Sequence, residues 1–152
     1  TGPTPMHIVA PSCVALFALT CLIHYELLRG LSLWLPRPAI PDRSRLLVAI
    51  FAAFVAHALE IGLYGVSIHV LIHHFDAGTL KAGGPVTLAD SIYFSAETYT
   101  SLGFGDVVPV GAIRLLAGTE ALNGLLMIGW TASYAYITME RFWRDPMDTG
   151  DT

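Results

Sequence analysis

Residues 98–106, Thr-Tyr-Thr-Ser-Leu-Gly-Phe-Gly-Asp, carry the clearest chemical signal in this sequence. Gly103 and Gly105 can adopt left-handed backbone angles in which other residues clash. They therefore predict an extended strip whose carbonyl oxygens all point to one side. Four such strips around one axis would stack rings of oxygen, which can replace the water shell of a dehydrated cation.

The segment Ser101-Leu102-Gly103-Phe104-Gly105 resembles the selectivity filter of potassium channels, which usually reads Thr-Val-Gly-Tyr-Gly. The residues before it, Tyr93–Thr98, resemble the pore helix of that family, and Asp106–Pro109 resemble the exit from the filter. Gly124 falls where the inner helix of the family has a hinge glycine. The resemblance covers residues 44–144 and does not extend to residues 1–43.

The resemblance implies a K⁺ channel in which the Ser101 hydroxyl and the carbonyls of residues 101–104 coordinate successive ions, with Thr100 next to the cavity. The expected ion-binding segment comprises Thr100, Ser101, Leu102, Gly103, Phe104 and Gly105. Phe104 lacks the hydroxyl that tethers the filter in relatives, so Tyr93 needs another partner. The residues expected to face the cavity are Leu125, Ile128, Ala132 and Tyr136, and lipid-facing packing is the alternative for them.

Glu97 and Asp106 flank the expected filter and support two interpretations. They form a carboxyl–carboxylate pair in some relatives, and two such close acids cannot both ionise easily, so one pKa would rise. In the alternative, Glu97 accepts hydrogen bonds from filter amides alone and Asp106 stays solvated.

The composition indicates a membrane protein, because 54% of the residues are hydrophobic and only 13% are charged, compared with about 25% charged residues in soluble domains. Three segments reach the roughly 20 apolar residues needed to cross a bilayer: Met6–Leu28, Arg45–Ile72 and Ala112–Trp143. Cys13 and Cys21 in the first of them are expected to be free thiols, because their spacing within one helix excludes a disulfide. One re-entrant loop cannot enclose a pore, so the resemblance implies a symmetric homotetramer.

Residues 88–99 are apolar yet would form a helix only about 18 Å long, too short to cross a membrane. Thr87 is a good N-cap, and Asp90 three residues later is close to a capping box. Irregular backbone after such a helix is tolerated at membrane depth only inside protein or beside water. The segment is therefore predicted to be re-entrant.

These expectations combine into an all-α membrane protein with three transmembrane helices, a re-entrant pore helix and a selectivity filter in a tetrameric pore. The N-terminal helix and a cytoplasmic linker occupy residues 1–43, and a tail occupies 145–152. Within the pore domain, 44–144, we expect an outer helix at 44–74, a pore helix at 87–99, the filter at 100–106 and an inner helix at 112–143. The extra first helix is expected at the periphery, against lipid or against the second helix of a neighbouring copy.

Most arginines border the linker after the first helix or lie near residue 144. By the positive-inside bias, the linker and the C-terminus are cytoplasmic and the N-terminus is outside, in a multi-pass protein of the cell membrane. The linker, Leu31–Pro41, is predicted to lie along the inner surface. Trp34, Phe142 and Trp143 are expected at the membrane interface.

Ionisable residues inside a bilayer are costly and are usually paired. His57, Glu60, Glu120 and Asn123 are predicted to form one polar cluster that ties the outer helix to the inner helix. Structural pairing is the favoured role, and proton sensing is the alternative. His69, His73 and His74 suit an interfacial position better than a metal or proton site.

Two competing functions are also compatible with this sequence. One is a weakly selective cation channel, and the other is a small haem-binding membrane subunit with axial ligands among His24, His57, His69 and His73. The chain has no nucleophile–base constellation, phosphate loop or arginine-rich voltage-sensor helix. We therefore expect no enzyme, no organic cofactor, no organic substrate and no nucleic acid, with lipid and further copies of the chain as partners.

Overall fold

The computed structural model describes residues 5–35 and 42–143, with side chains described for 5–35 and 44–141. It contains α1 (Met6–Trp34), α2 (Asp42–Phe75), β1 (Gly78–Lys81), α3 (Leu88–Tyr99), β2 (Val108–Gly111) and α4 (Ile113–Trp143). The predicted placements of linker residues 36–41, of Phe142 and Trp143, and of the tail lie outside the described residues and side chains. The mostly helical architecture is confirmed.

Among the described helices, α1 and α2 are long and apolar enough to cross a membrane. The 31-residue α4 does not reach the same mean hydropathy, because Arg114, Glu120 and Asn123 lie in its first half. Its crossing of the membrane therefore stays a prediction.

The first helix is longer and better packed than expected. Residues Leu31–Trp34 continue α1, so the prediction that the linker begins at Leu31 is wrong. No proline interrupts the chain between Pro11 and Pro36. The helix packs on α2 and α4 of its own chain, and its peripheral place in an assembly stays a prediction. Its inward face, spaced at three or four residues, consists of Val9, Cys13, Leu16, Thr20, His24 and Leu28.

An apolar core lies where α1 begins, α2 ends and α4 begins. Tyr64 and Ile68 of α2, with Ile113 and Leu116 of α4, have no exposed surface. Other large apolar side chains lie on the outside, among them Phe54, which is 70% exposed. Such exposure is expected where lipid or another subunit covers the helices.

A two-stranded antiparallel sheet, β1–β2, was absent from the predicted all-α fold. Gly78 pairs with Gly111 and Lys81 pairs with Val108. A Cβ atom on Gly78 would lie 2.0 Å from the Val110 carbonyl oxygen, so this strand pairing requires a glycine. The sheet ties the end of α2 to the start of α4. Along the chain, α3 and the loop that follows it come between the two strands.

The short helix α3 begins with the capping box that the sequence suggested. The Asp90 amide donates to Thr87 Oγ1 at 3.1 Å, and the Thr87 amide donates to Asp90 Oδ2 at 2.8 Å. At its other end, α3 approaches α4 so closely that a Cβ atom on Gly124 would lie 1.9 Å from the Tyr99 carbonyl oxygen. Gly124 therefore sets the distance between these two helices.

We expect Gly124→Ala to destabilise the folded chain by about 1–3 kcal/mol or more, because the added methyl group meets rigid backbone. Gly62→Ala is the matched control, since a Cβ atom on that helical glycine meets no atom within 4 Å. Thermal unfolding followed by circular dichroism in detergent measures both variants. Equal stability of the two variants would contradict the close approach.

The hydrogen bonds from Thr87 lower the pKa of Asp90 below its usual value of 3.8. Because the folded chain binds this proton less tightly than the unfolded chain, the stabilisation is present above the unfolded pKa and is lost as pH falls through the folded pKa. Between about pH 5 and pH 3, the native chain should lose slightly more thermal stability than Asp90→Asn. Parallel losses in the two proteins would argue against the capping box.

Candidate functional site

The loop 100–106 follows α3 directly, and all of its residues are exposed in the single chain. Positive φ angles occur at Ser101 (57°), Gly103 (53°) and Gly105 (82°), whereas Leu102 and Phe104 have negative φ. The sign of φ therefore alternates along residues 101–105. A non-glycine residue with positive φ is uncommon, so Ser101 holds a specific conformation.

Glu97 in the last turn of α3 holds this loop through both its main chain and its side chain. Its carbonyl oxygen accepts hydrogen bonds from the amides of Leu102 at 2.9 Å and Gly103 at 3.2 Å. Its Oε2 accepts from the amide of Phe104 at 2.9 Å. Glu97 is only 4% exposed, so the loop is anchored from the protein side and leaves its other side open.

Asp106 has a different partner from Glu97. The Tyr93 hydroxyl donates to Asp106 Oδ2 at 3.0 Å, which supplies the partner that Tyr93 required. Glu97 and Asp106, which were considered as a pair, share no hydrogen bond, and the other Glu97 oxygen, Oε1, has no hydrogen-bond partner among the described residues. Partial burial and the Asp106 carboxylate raise the pKa of the Tyr93 hydroxyl. This bond ties the end of the loop to the middle of α3.

A groove of about 390 Å³ lies beside the loop, between α3, β2 and α4. Ser101, Gly103 and Gly105 line one side, and Ala117 and Ala121 of α4 line the other. Small residues on α4 leave this side of the loop accessible. The residues predicted to face a cavity are also exposed on α4, namely Leu125, Ile128, Ala132 and Tyr136.

Behind the loop, side chains from all four helices form a closed hydrogen-bonded ring, called the histidine ring here: His24, His57, Glu60, Tyr99 and Thr131. The two imidazole Nε2 atoms each lie 3.0 Å from Thr131 Oγ1. His24 Nδ1 lies 3.0 Å from Glu60 Oε1, and His57 Nδ1 lies 2.9 Å from the Tyr99 hydroxyl. The Tyr99 hydroxyl donates to Glu60 Oε2 and closes the ring.

Glu120 and Asn123 form hydrogen bonds with residues outside the histidine ring. The four residues predicted to form one polar cluster therefore lie in separate hydrogen-bond groups. The Ser95 hydroxyl donates to Glu120 Oε1 at 2.5 Å. Asn123 Nδ2 donates to Thr20 Oγ1 at 2.8 Å and to the Tyr64 hydroxyl at 3.2 Å. Glu60 contacts α1 and α3, and Glu120 contacts α3, so the connections extend beyond the predicted pair of helices.

Sequence reasoning included His57 and Glu60, whose three-residue spacing brings His57 Nδ1 within 3.5 Å of Glu60 Oε2. It missed the contributions of His24, Tyr99 and Thr131 to this ring. His24 had a signal, because an ionisable residue in an apolar helix needs a partner. Tyr99 and Thr131 had no such signal in the sequence, since both residue types are common in membrane helices.

The other histidines and the cysteines form simpler arrangements. His69 and His73 lie near the C-terminal end of α2 with ring centroids 4.1 Å apart and ring planes tilted by 34°, and His73 Nδ1 lies 2.9 Å from the His69 carbonyl oxygen. Cys13 and Cys21 are free thiols, as expected, and Cys13 is buried.

Comparisons with known proteins find a family match over most of the chain. Residues 46–141 match the protein family described as ion channel. Two bacterial proteins named Protein LctB are similar over 40 residues, which are 26% of this chain: one from Bacillus caldotenax at 50% identity and one from Geobacillus stearothermophilus at 52%. The matched stretch spans 30% of the length of each relative. No solved structure matches.

Tyr93→Phe should loosen the loop, because it removes the hydrogen bond to Asp106. We expect the amides of residues 102–108 to exchange with deuterium several-fold faster, with the amides of α2 unchanged. Tyr136→Phe removes an exposed hydroxyl from α4 and serves as the control. Unchanged exchange in the loop after Tyr93→Phe would show that the bond contributes nothing to its order.

Proposed function

This chain belongs to the ion channel family, and we propose that four copies of it form a pore that selects K⁺. The alternating backbone of the exposed loop 100–106 carries this proposal. Positive φ at residues 101, 103 and 105 supports a strip whose carbonyl oxygens point to one side. Rings of such oxygens replace the hydration shell of K⁺.

Within this proposal, the Ser101 hydroxyl and the carbonyl oxygens of residues 101–104 coordinate the ions. Thr100 lies at the inner end of the strip, and Gly105 ends it. The carbonyl end of α3 lies directly before the strip, and the negative end of a helix dipole favours a cation. No acidic side chain lies within residues 100–105, so selection depends on carbonyl oxygens rather than on charge.

The incompleteness of the site in one chain supports the proposed tetramer. A single copy presents one strip, with an open groove beside it. Closed fourfold symmetry would bring four strips around one axis and place neighbouring copies against the exposed side of each loop. Leu125, Ile128, Ala132 and Tyr136 of α4 would then line the cavity below.

The bond between Tyr93 and Asp106 takes over the tethering role that Phe104 cannot perform. In the proposed channel, this tether and the Glu97 side-chain bond to the Phe104 amide fix the end of the strip, and the Glu97 carbonyl oxygen holds its middle through the amides of Leu102 and Gly103. A strip held from behind keeps its oxygens in place when an ion leaves. This is the physical requirement for repeated conduction.

The proposed channel crosses the cell membrane with α1, α2 and α4. The arginines near the linker and near the end of α4 favour a cytoplasmic linker and C-terminus, with the N-terminus outside. The loop then opens to the outside, and the ring of side chains behind it lies at mid-membrane depth. Family membership does not favour the alternative of a haem-binding subunit.

The proposal is tested by ion flux into liposomes that hold the purified full chain. K⁺ flux should exceed Na⁺ flux by at least about tenfold, which requires a barrier difference of about 1.4 kcal/mol. Comparable fluxes of the two ions would instead support a weakly selective cation channel. An absence of flux in correctly inserted tetramers would refute conduction by this chain.

Gly103→Ala supplies the variant for this experiment, and Gly83→Ala supplies its control. Both glycines have positive φ, 53° and 76°, and a Cβ atom on either meets no atom within 4 Å. Each substitution thus imposes a similar backbone strain of about 1–2 kcal/mol, but only Gly103 lies in the proposed filter. K⁺ flux should be lost in Gly103→Ala and retained in Gly83→Ala.

A further inference from the structure

We propose that the histidine ring is a binding site for one divalent transition-metal ion, of the Zn²⁺ class. His24, His57 and Glu60 supply three ligands, and the Tyr99 hydroxyl oxygen supplies the fourth. The site is separate from the loop 100–106 and does not depend on the proposed K⁺ conduction. It joins α1, α2 and α3 through one ion.

The donor atoms already lie at distances that suit such an ion. One nitrogen of each histidine and one oxygen of Glu60 lie within 4.8 Å of one another. Glu60 Oε1 is 3.0 Å from His24 Nδ1, and Glu60 Oε2 is 3.5 Å from His57 Nδ1. Ligands bound tetrahedrally to Zn²⁺ at about 2.0–2.1 Å are about 3.4 Å apart. Small movements would therefore complete the coordination shell.

The remaining nitrogen of each histidine is held in the manner of a metal ligand. Both Nε2 atoms lie 3.0 Å from Thr131 Oγ1. A hydroxyl oxygen has two lone pairs and can accept a hydrogen bond from each ring. When both Nε2 atoms carry the hydrogen, both Nδ1 atoms are unprotonated, and their lone pairs are free to bind a metal ion beside Glu60. Such outer hydrogen bonds fix the tautomer and the ring orientation of histidine ligands.

Hydrogen counting shows that the neutral ring is one hydrogen short, a deficit that an added proton or a metal ion can remove. The ring contains five contacts, and each needs one hydrogen. Neutral imidazoles, the two hydroxyl groups and an ionised Glu60 supply only four hydrogens among them. A metal ion removes this deficit, because it replaces the three contacts among His24, His57, Glu60 and Tyr99 with coordination bonds.

Charge and burial point to the same conclusion. His24, Glu60 and Tyr99 have no exposed surface, and a buried carboxylate requires a compensating positive charge. A divalent ion balances Glu60 and the Tyr99 phenolate, with the Tyr99 proton released to solvent on binding. Coupling of metal binding to proton release is general for such sites.

One edge of the histidine ring is uncovered in the single chain. A groove of about 230 Å³ between α2 and α4 has His57 and Thr131 among its lining residues. The His57 side chain is 18% exposed, whereas that of Glu60 is fully buried. The ring is thus covered at Glu60 and uncovered at His57.

Metal binding is measured on the full chain in detergent after treatment with a chelator. Added Co²⁺ should bind at about one ion per chain and give the visible absorption of tetrahedral Co²⁺, which Zn²⁺ then abolishes. His24→Gln and His57→Gln should each weaken binding by more than about 100-fold, and Thr131→Val by about 10–100-fold. Circular dichroism checks that each variant remains helical.

The double variant His69→Asn with His73→Asn is the matched control, because it removes the other neighbouring histidine pair and should leave Co²⁺ binding unchanged. If His24→Gln does not fold, the unaltered chain and Thr131→Val decide the question. An unaltered, folded chain that takes up neither Co²⁺ nor Zn²⁺ overturns the proposal. Binding that survives in Thr131→Val at full strength but disappears in the double variant also overturns it.

Discussion

A polar group buried between apolar helices must find its hydrogen-bond partner within the protein, and this constraint determines where α3 lies. Glu60 of α2 and Glu120 of α4 are fully buried. Each accepts a hydrogen bond from a hydroxyl group of α3, Tyr99 for Glu60 and Ser95 for Glu120. A helix too short to cross a membrane is thus held on two sides by carboxyl groups. The position of the loop 100–106 follows, because the loop begins directly after Tyr99.

Close backbone contacts complement these polar ones. Gly124 brings α4 against the carbonyl of Tyr99, and a Cβ atom on Gly65 of α2 would lie 2.8 Å from the Ile92 Cα atom. Glycines on both flanking helices therefore let α3 lie deep between them. The family resemblance suggested a hinge at Gly124. In the structure, a side chain at this position would clash with the Tyr99 carbonyl group, so close packing alone requires a glycine.

Much of this architecture was readable from the sequence, where strong local signals coincide. The lengths of the apolar segments predicted α1 and α2, and the Thr87–Asp90 cap predicted the start of α3. Gly103 and Gly105 predicted the loop. The sheet was missed because its four-residue strands carry glycine and proline and have no clear alternation of apolar and polar residues. The histidine ring was found only in part. His24 and Thr131 are 107 positions apart in the chain. No local sequence pattern could indicate that the four helices bring these side chains together.

The pairing of β1 with β2 makes residues 82–107 a closed segment whose two ends are fixed to each other. Changes of length within the turn at Gly83 and Gly84 are then absorbed locally, since loop closure costs little for each added residue. The anchored ends keep such changes from altering the separation of α2 and α4. The turn at Gly83 and Gly84 can therefore diversify in evolution, while the geometry of the loop 100–106 stays constant.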